Sequence, residues 1–109
     1  MAELELSVED LAARRAAGDD LFLLDVREPW EFEICRIEGA VNIPLGRVPA
    51  DFDPARAGAG QNIVVICHHG MRSLRATLWL RGQGVTSCSN LTGGIDRWAA
   101  VVEPTMARY

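Results

Sequence analysis

The run Ile63-Val64-Val65-Ile66 stops at Cys67, and His68-His69-Gly70-Met71-Arg72-Ser73 come after it. A β-branched apolar run of that length reads as a buried strand. A short loop comes next, with Ser73 opening a helical segment from Leu74. Between a strand end and a helix start, several backbone N–H groups point inward, and the helix dipole adds partial positive charge. A thiol placed there has its thiolate favoured, and the thiolate is the nucleophilic form of cysteine. Arg72 supplies a permanent cation and a planar fork of donors for an anionic group. The segment reads as a nucleophile, Cys67, in an anion cradle made by His68, His69, Gly70, Met71, Arg72 and Ser73.

An isolated cysteine at a strand end is more often a small buried hydrophobe. The residues after Cys67 argue otherwise. His68 to Arg72 contain no large aliphatic side chain, and Gly70 permits a positive φ or close approach of a ligand to the backbone. Adjacent histidines rarely converge on one ion, and no Cys-x-x-Cys or second histidine cluster completes four ligands, so no metal site is expected.

The elements that must position this loop belong to one domain, residues 1–109, long enough to bury a real core. Hydrophobic residues make up 49% and charged residues 24% of the chain, ordinary values for a soluble globular protein. No apolar run approaches the roughly 20 residues that span a bilayer. The start, Met1-Ala2-Glu3-Leu4-Glu5, reads as neither a basic n-region nor an apolar h-region, so secretion is not expected. Three cysteines at distant positions argue against a disulfide framework, so a cytoplasmic location is expected. With a pI near 5.1 and no basic cluster, nucleic acid is excluded as a partner. No lysine is present, which excludes Schiff-base chemistry. Residues 1–53 hold 13 acidic side chains and 5 arginines, and residues 54–109 hold 2 and 6. That asymmetry either steers small anions to the Cys67 loop or averages out if the two halves interleave.

Along the chain, Ser7 caps a helix running to about Ala17, with Gly18 as its stop. Leu21 to Val26 reads as a buried strand. Pro29 starts a short helix carrying Trp30, Phe32 and Ile34. Gly39 to Pro44 is a short extended piece, and Pro49 to Gly60 a surface loop carrying one turn. Leu74 to Gln83 is expected to be a largely buried helix, because Leu74, Ala76, Leu78, Trp79 and Leu80 cover more than half its circumference. Thr86 to Leu91 is a last strand, Gly93-Gly94 a tight turn, and Ile95 to Val101 a final helix with Trp98. Strands alternating with helices give an α/β domain with a mostly parallel central sheet flanked by helices. Ligands of such sheets sit beyond the carboxyl ends of the strands, which is where Cys67 falls. At a strand end, Asp25 and Arg27 are expected to support the site by hydrogen bonding to loops. Cys35 and Cys88 are read as packing residues, with a resolving role open to Cys88 if it nears the same edge. Trp30, Trp79 and Trp98 are read as core or rim aromatics.

Four motifs in order and spacing, Leu24-Asp25-Val26-Arg27-Glu28 with Trp30-Glu31-Phe32, Ile37 to Pro44, Cys67 to Ser73, and Leu91 to Trp98, give the chain its resemblance to a single-domain rhodanese, a sulfurtransferase. The resemblance implies a rhodanese-like fold and transfer of a sulfane sulfur through a persulfide on Cys67, with Arg72 as its catalytic companion and no cofactor. The implied partners are a small anionic sulfur donor such as thiosulfate, or a persulfide, and a thiol or cyanide acceptor, including a protein acceptor. On this reading Arg72→Lys should hurt an anionic donor more than a neutral one. One departure is Arg36, where the family often has histidine. Phosphatases and arsenate reductases of the same fold are the alternative, but their loop is expected to place five residues between Cys and Arg, and here there are four, His68 to Met71. A catalytically silent interaction module is the other alternative, and such modules usually lose the cysteine.

Overall fold

The strand β4 (Asn62–Ile66) lies in the middle of the sheet and explains why the apolar run is unbroken. Ile63, Val65 and the adjoining Cys67 face one apolar cluster, with Leu24, Val26, Ala76 and Leu80. Val64 and Ile66 face the other, with Leu11, Leu23, Leu91, Ile95 and Trp98. Both faces of a parallel strand are covered, so alternation with polar residues is not needed. Each of these fully buried aliphatic side chains contributes about 1.5–3 kcal/mol.

The computed structural model describes residues 3–53 and 61–109. The elements run β1 (Glu5–Leu6), α1 (Val8–Ala16), β2 (Leu21–Asp25), α2 (Pro29–Ile34), β3 (Val41–Asn42), a 3-10 turn (Leu45–Arg47), α3 (Val48–Asp51), β4, α4 (Met71–Gly82), β5 (Cys88–Leu91) and α5 (Gly94–Val101). The five strands form one sheet in the order β1-β5-β4-β2-β3, with every pairing parallel. Helices cover both faces, giving the expected α/β architecture. Ser7 caps α1 by accepting from Asp10 N at 3.0 Å. The helical turn at Val48–Asp51 overlaps the start of the stretch read as a loop, of which residues 54–60 lie outside the described residues.

The sheet order also decides the charge question. Strands β4 and β5 come from the arginine-rich half and lie between β1 and β2 of the acidic half. The two halves interleave.

Three sequence expectations need correction. Helix α4 begins at Met71 rather than Leu74, because Gly70 takes the left-handed conformation (φ +102°) that starts the helix directly after the loop. Met71, Arg72 and Ser73 are therefore the first helical turn. Nor is α4 largely buried: its inner face is Ser73, Ala76, Thr77 and Leu80, while Leu78 and Trp79 are exposed. Two polar residues can face inward because both hydroxyls find partners: Thr77 Oγ1 donates to Ser73 O at 2.7 Å within the helix, and Ser73 Oγ donates to Asn90 Oδ1 on β5. Finally, β5 begins at Cys88 and not at Thr86. Cys88 pairs with Ile63, so it sits at the opposite edge of the sheet, about 13 Å along the strand from Cys67. That separation removes the resolving role.

Candidate active site

Cys67 leaves β4 with its side chain turned inward and 1% exposed. The backbone is pinned by the first turn of α5: Ile95 N donates to Cys67 O at 2.9 Å and Asp96 N to His68 O at 3.0 Å. Gly94 makes this approach feasible. A Cβ there would stand 2.5 Å from both carbonyl oxygens. Gly70 N then donates to Cys67 Sγ at 3.0 Å, and Ser73 Oγ lies 3.2 Å from the same sulfur. A buried sulfur meeting a backbone N–H at the start of a 12-residue helix is the arrangement an anionic sulfur needs.

Arg72 is not the free cation the sequence suggests. Its Nη1 and Nη2 donate to Glu31 Oε1 at 2.6 Å and Oε2 at 2.8 Å. The reason is burial. The Glu31 carboxylate is 5% exposed and needs a cation, and Arg72 reaches it from α4 as a two-bond fork. Glu31 also accepts from Tyr109 Oη at 2.7 Å and from Glu28 N at 2.9 Å. Its hydrogen bonds to Arg72, opposed by burial, hold its pKa down at about 2.

The sign of the pH effect comes from that lowering. A carboxyl whose folded value lies below the ordinary 4.5 stabilises the fold at neutral pH. The contribution fades as pH falls from 4.5 through about 2. Glu31→Gln should therefore cost about 2–3 kcal/mol at pH 7 and much less near pH 3. Urea unfolding of both proteins at the two pH values measures this, and an equal penalty at both would mean the pair contributes no charge-dependent stability.

Asp25 and Arg27 are fully buried and paired at 2.7 Å. Arg27 directs its other donors to Cys35 O at 2.7 Å, Glu31 O at 3.2 Å and Tyr109 Oη at 3.1 Å. The pair fastens the end of α2 to the sheet and thereby places Glu31, without touching Cys67. Cys35 is buried in the same network and Cys88 packs on the far side, its thiol pushed up by burial. Arg36, the departure noted in the sequence, lies over the Phe32 ring, 4.6 Å from its centroid.

The two histidine rings lie against each other, centroids 3.9 Å apart, but differ in burial. The His68 ring stacks on Tyr109 with centroids 3.9 Å apart and an interplanar angle of 13°, and burial lowers its pKa, with the His69 charge acting the same way. His69 is exposed, with Nδ1 3.9 Å from Asp96. Met71 is exposed on the rim and Gly70 is buried. Trp98 is core, whereas Trp30 and Trp79 are exposed.

Sequence reasoning missed four residues that build this site. Glu31 stood inside a quoted motif but carried no role; a carboxylate among apolar neighbours in a short helix was its signal. Asn90, a polar residue in the buried strand β5, was likewise visible as a group that must find partners. Gly94 was read only as a turn. Tyr109 carried no signal in the sequence.

Known proteins give a consistent picture. A family model described as a rhodanese-like domain matches residues 7–101. The adenylyltransferase and sulfurtransferase MOCS3-1 of Zea mays is 37% identical over 97 residues, covering 84% of this chain and 21% of that protein. A sulfurtransferase of Allochromatium vinosum is 32% identical over 103 residues, covering 94% of both. The human single-domain sulfurtransferase TSTD1 superposes with a TM-score of 0.78 at 28% identity, covering 92% of this chain and 98% of that one. The chain thus spans about a fifth of the maize protein and nearly all of the other two. Among the described residues, no helix is long and apolar enough to cross a membrane.

Proposed function

Given that this chain belongs to the rhodanese-like domain family, we propose that residues 1–109 form one catalytic domain, in which Cys67 carries a sulfane sulfur from a donor to a thiol or cyanide acceptor. The observation that carries this reading is the sulfur of Cys67 at the end of β4, met by Gly70 N at 3.0 Å and Ser73 Oγ at 3.2 Å. In the first step the Cys67 thiolate attacks the outer sulfur of thiosulfate. The S–S bond to the sulfonate breaks, sulfite leaves with the bonding pair, and Cys67 becomes a persulfide. With a persulfide donor, the leaving group is the donor's thiolate. In the second step an acceptor thiolate or cyanide attacks the outer sulfur and the Cys67 thiolate leaves. The Gly70 N–H and the α4 terminus stabilise the anionic sulfur in both steps. Three free cysteines suit a reducing compartment such as the cytoplasm.

The pairing of Arg72 with Glu31 disfavours a phosphatase, which needs that guanidinium for a tetrahedral anion. It also changes what Arg72→Lys should do. The side chain anchors α4 to α2 by a two-bond fork, and lysine supplies a single point charge. Turnover should fall roughly tenfold, about 1.4 kcal/mol of barrier, by the same factor for thiosulfate and for an uncharged sulfur donor. A loss confined to thiosulfate would restore Arg72 as the anion receptor. The function itself is tested by thiocyanate formation from each donor with cyanide as acceptor. Turnover is expected with at least one donor, and none with either would overturn the reading.

A further inference from the structure

Behind Cys67 lies a chain of hydrogen bonds whose proton directions are fixed by chemistry. Asn90 on β5 donates through Nδ2 to Glu5 Oε1 at 3.0 Å and to Gly70 O at 3.0 Å. Both partners have only lone pairs, so the orientation of the amide is set. Glu5 is the cross-strand neighbour of Asn90 and also accepts from Thr92 Oγ1 at 2.8 Å. With Nδ2 so committed, Asn90 Oδ1 faces Ser73 Oγ and is in close contact with it. An amide oxygen can only accept, so the single hydroxyl hydrogen of Ser73 goes to Asn90. Ser73 therefore presents lone pairs to Cys67 Sγ at 3.2 Å. In this arrangement it accepts from a thiol and cannot donate to a thiolate.

We propose that Asn90, held by Glu5, is a positioning residue that acts through the Ser73 hydroxyl to restrain the reactivity of Cys67. While Asn90 holds that hydrogen, Gly70 N–H remains the donor to the sulfur. When Ser73 is released, its hydroxyl turns and supplies a second donor to the anion, which favours the charged form. The inference rests on the proposed function only in taking Cys67 as the reactive thiol.

The other charged or titratable groups around the loop are Arg72 on α4, Glu31 on α2 behind it, Asp96 on α5, His68 and His69 in the loop, and Tyr109. All of them are kept in the variants that test the idea, so differences between variants isolate the Asn90–Ser73 contact. The readout is the pH midpoint of iodoacetamide alkylation at Cys67, tracked in the full chain by peptide-resolved mass spectrometry.

Asn90→Ala frees the hydroxyl and should move the midpoint down by about half a pH unit, a roughly threefold gain in rate on the acid limb. Asn90→Asp keeps an acceptor at the same place and adds negative charge, so the midpoint should move up. In a Ser73→Ala background the downward shift from Asn90→Ala should vanish. Shifts of the same sign in the Ala and Asp variants, or a downward shift that survives Ser73→Ala, would overturn the proposal. If Asn90→Ala does not fold, Glu5→Ala at the exposed end of the chain of bonds carries the test. It unfastens the amide and should lower the midpoint by a smaller amount, and no shift would count against the proposal. Alkylation does not require sulfur transfer. The predicted shifts in a protein that forms no thiocyanate would uphold this inference while defeating the proposed function.

Discussion

Cys67→Ser should lower thiocyanate formation by more than about a thousandfold, equivalent to roughly 4 kcal/mol of barrier, while the protein stays folded. An alcohol is scarcely ionised at neutral pH and cannot carry a sulfane sulfur as a persulfide does. The fold should tolerate the change. Serine is close in size, and Gly70 N–H and Ser73 Oγ, the groups that now meet the sulfur, can satisfy the new hydroxyl. A stability change within about 1–2 kcal/mol is expected, measured by urea unfolding beside the activity assay. Turnover of a few per cent or more in the serine protein would remove Cys67 from its role.

Gly94→Ala is expected to be the most damaging glycine substitution among the described residues. Gly94 has φ +63°, a conformation that costs an L-residue roughly 1–2 kcal/mol. Its added Cβ would also stand 2.5 Å from Cys67 O and His68 O. Those atoms are backbone, already bonded to Ile95 N and Asp96 N, so relief requires the loop or α5 to move. A loss of about 3–5 kcal/mol is expected, together with most of the activity. Gly18 provides the contrast. A Cβ there would meet nothing within 4 Å. Gly18→Ala should therefore cost less, only the strain of an L-residue at its φ of +80°. Equal losses for the two variants would show that close approach of α5 to the loop is not what holds the site.

What the sequence made legible was the scaffold and the position of the thiol. The unbroken Ile63–Ile66 run could only be a strand covered on both faces, and Ser7, Gly18 and Pro29 mark helix ends by mechanisms that act within a few residues. Contacts between distant segments were not legible. Arg72 was assigned to an anionic ligand because its partner, Glu31, lies 41 residues away on another helix. Tyr109 reaches Glu31 and Arg27 from 78 and 82 residues away, and nothing local to it indicates either contact. Helix α4 was misjudged for a related reason. The hydrophobic count favoured Leu78 and Trp79 as inner residues, whereas the buried face includes Ser73, whose hydroxyl finds its partner on β5, and Thr77, whose hydroxyl bonds back to Ser73 O within the helix. The edge on which Cys88 lies could not be read, because strand register depends on pairing with β4, which no single segment encodes.

The most direct test is the intact mass of the wild-type protein after incubation with thiosulfate or glutathione persulfide, combined with peptide mapping. The account predicts one added sulfur atom, located on Cys67, absent from Cys35 and Cys88, and lost on addition of cyanide. An unmodified Cys67 after exposure to both donors, or a sulfur that cyanide cannot remove, would contradict it.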